Sequence, residues 1–186
     1  MAGLIDRMIR AARLEPALYE EVESDPAATR QAAVVVALSS VGAAVGELAK
    51  EGRMGLFAGL IGAFLGWLIW AYLCFVVGTK ALPEAGTRSN LGELLRTTGF
   101  AATPGILRAF TGFPGIGVVI GALVSLWMIA AFVVAVRQAL DYQSTGRAVA
   151  VVAIGFAIQL GFALIVGLVV FGTGAALFGG HGGMHH

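Results

Sequence analysis

The residues able to carry chemistry are few and badly placed for it. All three histidines, His181, His185 and His186, lie in a Gly-rich tail, so no imidazole is available at membrane depth to act as a base or ligand. His181 and His185 have helical spacing for a metal. Gly182 and Gly183 lie between them, however, and no Cys or carboxylate accompanies them, so a plain polar ending is the alternative. Inside the apolar stretches, the groups that can bind or relay a substrate are Glu93, Arg96, Arg108, Gln159 and the pair Ser39-Ser40. Glu93 and Arg96 are three apart and can neutralise each other on a helix, while Gln159 can hydrogen-bond a neighbouring helix. Cys74 is alone in an apolar run and reads as a packing residue. The sequence therefore calls for no catalytic residue, no cofactor and no metal.

Those groups are set in a chain that is 58% hydrophobic and 12% charged, against roughly 45–50% and 25% in a soluble domain. The implied class is all-α, a polytopic helical bundle in a lipid bilayer. A net charge of +1 and the lack of a basic, aromatic-interleaved cluster argue against nucleic acid as a partner. The opening residues carry Asp6, Arg7, Arg10, Arg13 and Glu15, which break up any signal-peptide core.

Five spans are predicted. The first, over residues 30–48, follows the helix-start signal Ser24-Asp25-Pro26 and bears Ser39, Ser40, Gly42 and Gly46, which should face other helices. The second covers 54–79, with Trp67, Trp70 and Tyr72 placed to sit at an interface. Residues 91–113 have spanning length but carry three charges, and Pro104 should kink this third helix. Spans over 116–136 and 148–178 follow. The last has no Lys, Arg, Asp or Glu in 31 residues (178 − 148 + 1), about 46 Å of helix at 1.5 Å per residue. Against about 30 Å of hydrocarbon, it should tilt or end near Gly172 and Gly174. The domain reading is a cytoplasmic segment 1–25, a membrane domain 26–178 and a tail 179–186.

In the first segment Leu4, Ile5, Met8, Ile9 and Ala12 recur at helical spacing, with Arg7, Arg10 and Arg13 around the other side. Such an amphipathic interfacial helix can hold anionic headgroups with its three arginines, or it can pack on the protein's own bundle. The acidic stretch Glu15, Glu20, Glu21, Glu23 and Asp25 reads as a solvated face or linker. On the second span Gly55, Gly59, Gly62 and Gly66 form small-residue pairs, repeated by Gly117 and Gly121 on the fourth, for close packing within the bundle or against a partner.

Short cytoplasmic loops are enriched in Lys and Arg. If 91–113 crosses, one side receives nine such residues (Arg7, Arg10, Arg13, Arg30, Lys80, Arg88, Arg96, Arg137, Arg147) and the other two, Lys50 and Arg53, with Arg108 unassigned. If it lies on the surface, Arg137 and Arg147 change sides and Arg108 joins the first, leaving eight against four. The count favours five crossings, a cytoplasmic amino terminus and a periplasmic tail.

The order of these features resembles bacterial members of the Yip family. The resemblance rests on the amphipathic and acidic start, the Ser/Gly-bearing first span, the run from Leu91 through Gly99 to Pro104, and Ser144-Thr145-Gly146-Arg147-Ala148 before the last span. It implies five membrane helices with a cytoplasmic amino terminus and much less about activity; because the residues offer no catalysis, the leading expectation is a non-enzymatic protein of a bacterial inner membrane. That protein would act as an interaction or scaffolding element, or as an accessory subunit, with the lipid bilayer and other membrane subunits or a second copy as partners. It does not extend to GTPase binding, because the acidic-aromatic motif of the eukaryotic relatives has no clear counterpart. A transporter using the broken helix near Pro104, and a lipid-organising protein using the amino terminus, are the competing readings.

Overall fold

The computed structural model describes residues 3–51 and 55–178, and every regular element among them is helical. The chain runs through α1 (Leu4–Ala12), α2 (Pro16–Ser24), α3 (Ala28–Glu51), α4 (Gly55–Val76) and a π segment (Val77–Ala81). It continues with α5 (Leu91–Ala101), a 3-10 segment (Thr103–Gly112), α6 (Gly117–Ala139) and α7 (Thr145–Phe178). Among the described residues, four helical stretches are long and apolar enough to cross a membrane: Ala28–Gly46, Ile61–Ala81, Gly117–Ala139 and Thr145–Phe162.

The remaining segment changes helix type at Pro104. One kinked helix is predicted there, but the α-helix ends at Ala101 and Pro104 enters the first turn of the 3-10 segment. Proline lacks the N–H that would bond the Phe100 carbonyl and disfavours α geometry in the residue before it. Thr103 Oγ1 fills the gap, donating to Phe100 O at 2.7 Å.

Two side-by-side rows show how this segment lies. Gly99 abuts Ala32, Gly105 abuts Ser39, Gly42 receives the backbone of Ile106, and Gly46 receives that of Arg108. Both chains advance in the same direction, so α5 and the 3-10 segment run parallel to α3 from Ala32 to Gly46, about 21 Å at 1.5 Å per residue. A Cβ at Gly42 would stand 2.5 Å from the Ile106 carbonyl oxygen, so only glycine admits this approach. The other helices alternate. α6 runs back along the segment, from Thr111 at Gly117 to Met128 at Gly105, and α7 runs back along α4, with Gly155 against Trp70 and Gln159 near Gly66.

The buried apolar residues form two clusters. One gathers Trp70, Cys74, Leu94, Val136, Leu140 and Val151 from α4 to α7, and the other places Ala11, Leu18, Tyr19 and Val22 of α1 and α2 on Ala32, Phe100, Ala131 and Ala135. Along the rest of the bundle the large apolar side chains point outward, among them Val41, Ile61, Leu65, Leu123, Leu126 and Leu160. A solvated protein could not hold such a belt, and lipid can.

Other sequence expectations are corrected. Residues 3–25 carry two helices, and α2 is a packed element because Leu18, Tyr19 and Val22 share a face that the acidic residues leave free. Trp70 is 4% exposed between Phe132 and Phe156, and Trp67 Nε1 donates inward to Leu95 O at 3.2 Å, so of the three aromatics only Tyr72 faces out. α7 stays helical to Phe178, so of the two expectations for its length the end near Gly172 and Gly174 falls away and the tilt stands as the expectation.

Candidate functional site

Polar side chains concentrate where α1 and α2 meet the bundle, together with the start of α5, the end of α6 and the turns before α5 and α7. Local geometry sets this up. α5 begins with a capping box in which Asn90 Oδ1 accepts from Glu93 N at 3.1 Å and Glu93 Oε2 accepts from Asn90 N at 2.9 Å. After α6, Asp141 takes φ 53, a left-handed residue that reverses the chain and turns Tyr142 inward. Tyr142 Oη lies 2.8 Å from Gly78 O and 2.7 Å from Leu82 O. The π segment makes that contact possible. Leu82 N bonds Val77 O at 2.9 Å, one residue further back than an α-helix would reach, which leaves the Gly78 carbonyl for the phenol.

The α1–α2 pair is held by two arginine arrangements. Arg7, 5% exposed, contacts Glu21 and Asp25 from Nη2 at 2.9 Å each and donates from Nη1 to Gln31 of α3 at 2.9 Å. Arg10 donates to the other Glu21 oxygen at 2.6 Å and to Glu15 at 3.1 Å. The paired arginines hold the Glu21 and Asp25 carboxyls below their ordinary range, the Arg10 hydrogen bond being the largest influence on Glu21 and the Arg7 bond on Asp25. From α5, Arg96, 8% exposed, donates from Nε to Val22 O at 2.9 Å and to Glu23 O at 3.1 Å. A cation thus closes the carbonyl end of α2, where the helix dipole favours it.

Beside this clamp lies a cleft of about 430 Å³ lined by Glu20, Glu23, Arg137, Gln138, Asp141, Tyr142 and Gln143. Gln138 Nε2 donates to Glu20 at 2.8 Å, and Arg137 Nε to Tyr142 O at 3.2 Å. Burial raises the Glu23 carboxyl to about 7, helped by the negative charges of Glu93, Asp141 and Glu20 and opposed by Arg96. Burial also raises Tyr142, with a further push from Glu84. The cleft therefore holds a carboxyl that titrates near neutrality. Among the described residues, no three His, Cys, Asp or Glu side chains are grouped as for a metal ion.

The residues singled out in the sequence do not converge. Glu93 caps α5 and Arg96 clamps α2, so the two serve separate roles. Arg108 reaches Ser125 Oγ at 3.4 Å on another face, and Gln159 Nε2 stands 3.9 Å from where a Gly66 Cβ would be. Arg7 and Arg10 turn toward α2, while Arg13 is exposed. Of the packing glycines, Gly117 closes on the Thr111 backbone and Gly121 would bring a Cβ 3.6 Å from Thr111 Cγ2, whereas Gly62 opens onto empty space. The surroundings of Gly55 and Gly59, and the tail histidines, lie outside the described residues. The Arg96–α2 clamp escaped sequence reading because its acceptors are main-chain carbonyls some seventy residues away. The capping pattern Asn90–Glu93 was the one local signal available.

A comparison with curated proteins and with solved structures finds no match to this chain. A family model, the Yip1 domain, matches residues 18–167, which takes in most of α2, the Arg96 clamp, the cleft and most of the bundle. The chain is an integral membrane protein that belongs to the Yip1 domain family.

Proposed function

We infer that this chain is a non-enzymatic, five-crossing Yip-type scaffold or accessory subunit of a bacterial inner membrane, with α1 and α2 at the cytoplasmic face. The parallel packing of residues 91–112 on α3 carries the reading. It supports a crossing in the same sense as α3, with α4 and α6 returning and α7 leaving again. This arrangement gathers the nine cations counted above at the α1–α2 end, as the positive-inside rule requires.

Interaction is favoured over transport by the packing at Pro104. Thr103, Pro104 and Gly105 are buried, and Ser39 and Met128 press on Gly105, leaving no room for a substrate at the change of helix type. The outward face of α4, by contrast, offers the open Gly62 beside exposed Ile61, Leu65 and Ile69 to another membrane helix. Purification in mild detergent tests this. The expected result is a stable complex, with another subunit or a second copy, that Gly62→Leu disrupts while the fold persists. A strictly monomeric protein without a co-purifying subunit rejects it.

The amino terminus also meets lipid in this reading, through part of the set singled out in the sequence. Ile5 is 72% and Ile9 47% exposed, next to Trp127, whose Nε1 donates to Ala12 O at 2.8 Å. Arg13 supplies an exposed cation just past the end of α1, while Arg7 and Arg10 remain with α2.

A further inference from the structure

The clamp and the cleft share one element, the last turn of α2, and they act on it in opposite senses. Arg96 holds its carbonyls at Val22 and Glu23, while the Glu23 side chain lines the cleft with Glu20 of α2 itself and Asp141 in the turn after α6, within the influence of the Glu93 charge on α5. The charges of opposite sign around it are Arg96 of α5 and Arg137 of α6, and Arg137 is occupied with the Tyr142 and Gln143 carbonyls. Tyr142 closes the cleft from the same turn. On the other side, α1 meets α2 through Arg7 and Arg10, which are spent on Glu21, Asp25 and Glu15.

We propose that α1 and α2 form a proton-controlled strap, closed on the α5–α6 edge when Glu23 is protonated and released from it when Glu23 ionises. The charge count gives the direction. With Glu23 protonated, three carboxylates (Glu20, Glu93, Asp141) face two guanidinium groups; with Glu23 ionised, four carboxylates face the same two, and the added charge sits on a half-buried side chain while Glu20 and Asp141 stay exposed. The Arg7 and Arg10 pairs tie α1 to α2, so the two helices move as one unit about the Asp25–Ala27 turn ahead of α3, and their release also breaks the bonds from Arg7 to Gln31 and from Trp127 to Ala12 O. Release uncovers the cleft, the Arg96 guanidinium and the apolar groove holding Leu18, Tyr19 and Val22. The strap thereby makes access to the α2-covered end of the bundle depend on pH. It does not rest on the number of crossings or on any partner.

The sign follows from linkage. The docked carboxyl titrates near 7 against an ordinary value of 4.5, so docking is fully supported below about 4.5 and loses that support as pH rises toward 7. One proton with these values changes the open fraction by no more than about tenfold between about pH 6 and about pH 8. Hydrogen exchange on the full chain in lipid nanodiscs reads this from the amides of residues 17–24, after correction for the intrinsic rate. The wild-type protein is expected to lose protection several-fold over that interval, Glu23→Gln to stay protected throughout, and Asp141→Asn to move the midpoint to higher-than-wild-type protection at pH 8. Equal wild-type protection at both pH values, or a Glu23→Gln protein that keeps the wild-type pH dependence, overturns the proposal.

Discussion

Arg96 and Val22, on α5 and α2, meet where Nε donates to the main-chain carbonyl at 2.9 Å. A side chain 8% exposed, anchoring the end of a helix seventy-four positions away, ties the amino-terminal pair to the membrane bundle. Hydrogen bonds to a charged group are worth about 1.5–3 kcal/mol each, and removing one partner strands the other. Arg96→Ala is therefore expected to cost about 3 kcal/mol and to expose α1 and α2 to protease before the bundle is cut. Arg96→Lys keeps the charge but cannot fork between two carbonyls, and should restore about half. Limited proteolysis and thermal melts in detergent check both.

Glycines on different faces should respond in opposite ways. Gly42→Ala drives a Cβ to 2.5 Å of the Ile106 carbonyl oxygen and is expected to destabilise by about 1–3 kcal/mol. Gly62→Ala meets nothing within 4 Å and gains helix propensity, so it should be neutral or stabilising by up to about 1 kcal/mol. Equal effects in denaturation would contradict the seam between α3 and the 3-10 segment.

Tyr142→Phe removes the hydroxyl that serves the Gly78 and Leu82 carbonyls. The phenol is 4% exposed, so a stranded carbonyl should cost about 1–3 kcal/mol, read as a lower melting temperature with an unchanged helical spectrum.

Acid should loosen the strap by a separate route. Glu21 and Asp25 have carboxyls lowered from ordinary values of 4.5 and 3.8, so their pairing with Arg7 and Arg10 supports docking above those values and is lost as pH falls below them. Protection of α1 is expected to fall below about pH 4; Arg7→Gln should remove the part of that acid limb carried by Asp25, and Arg10→Gln most of the part carried by Glu21. The partly exposed acids keep the effect modest.

The membrane class and four of the spans were legible because apolar runs of spanning length have few alternatives, and the helix ends differ by a few residues. The segment around Pro104 was half legible. Proline announces a break, but whether the chain kinks or tightens into a 3-10 segment depends on Gly42 and Gly46 of another helix accepting its backbone. The role of α2 was hidden by composition, since Glu20, Glu21, Glu23 and Asp25 surround three apolar residues whose burial depends on a groove between α5 and α6. The polar residues were visible individually, yet their partners are set by tertiary contacts: carbonyls for Arg96, a capping box for Glu93, a distant serine for Arg108.

The most direct test of the five-crossing reading is the sidedness of three turns, read with a membrane-impermeant thiol reagent in a Cys74→Ala background. Single cysteines at Ala85, Pro114 and Ser144 fall before α5, before α6 and before α7. Five crossings place Ala85→Cys and Ser144→Cys on the cytoplasmic side and Pro114→Cys on the opposite one. Labelling that puts Pro114→Cys with Ala85→Cys, and Ser144→Cys across the membrane from both, would return residues 91–112 to the surface and contradict the reading.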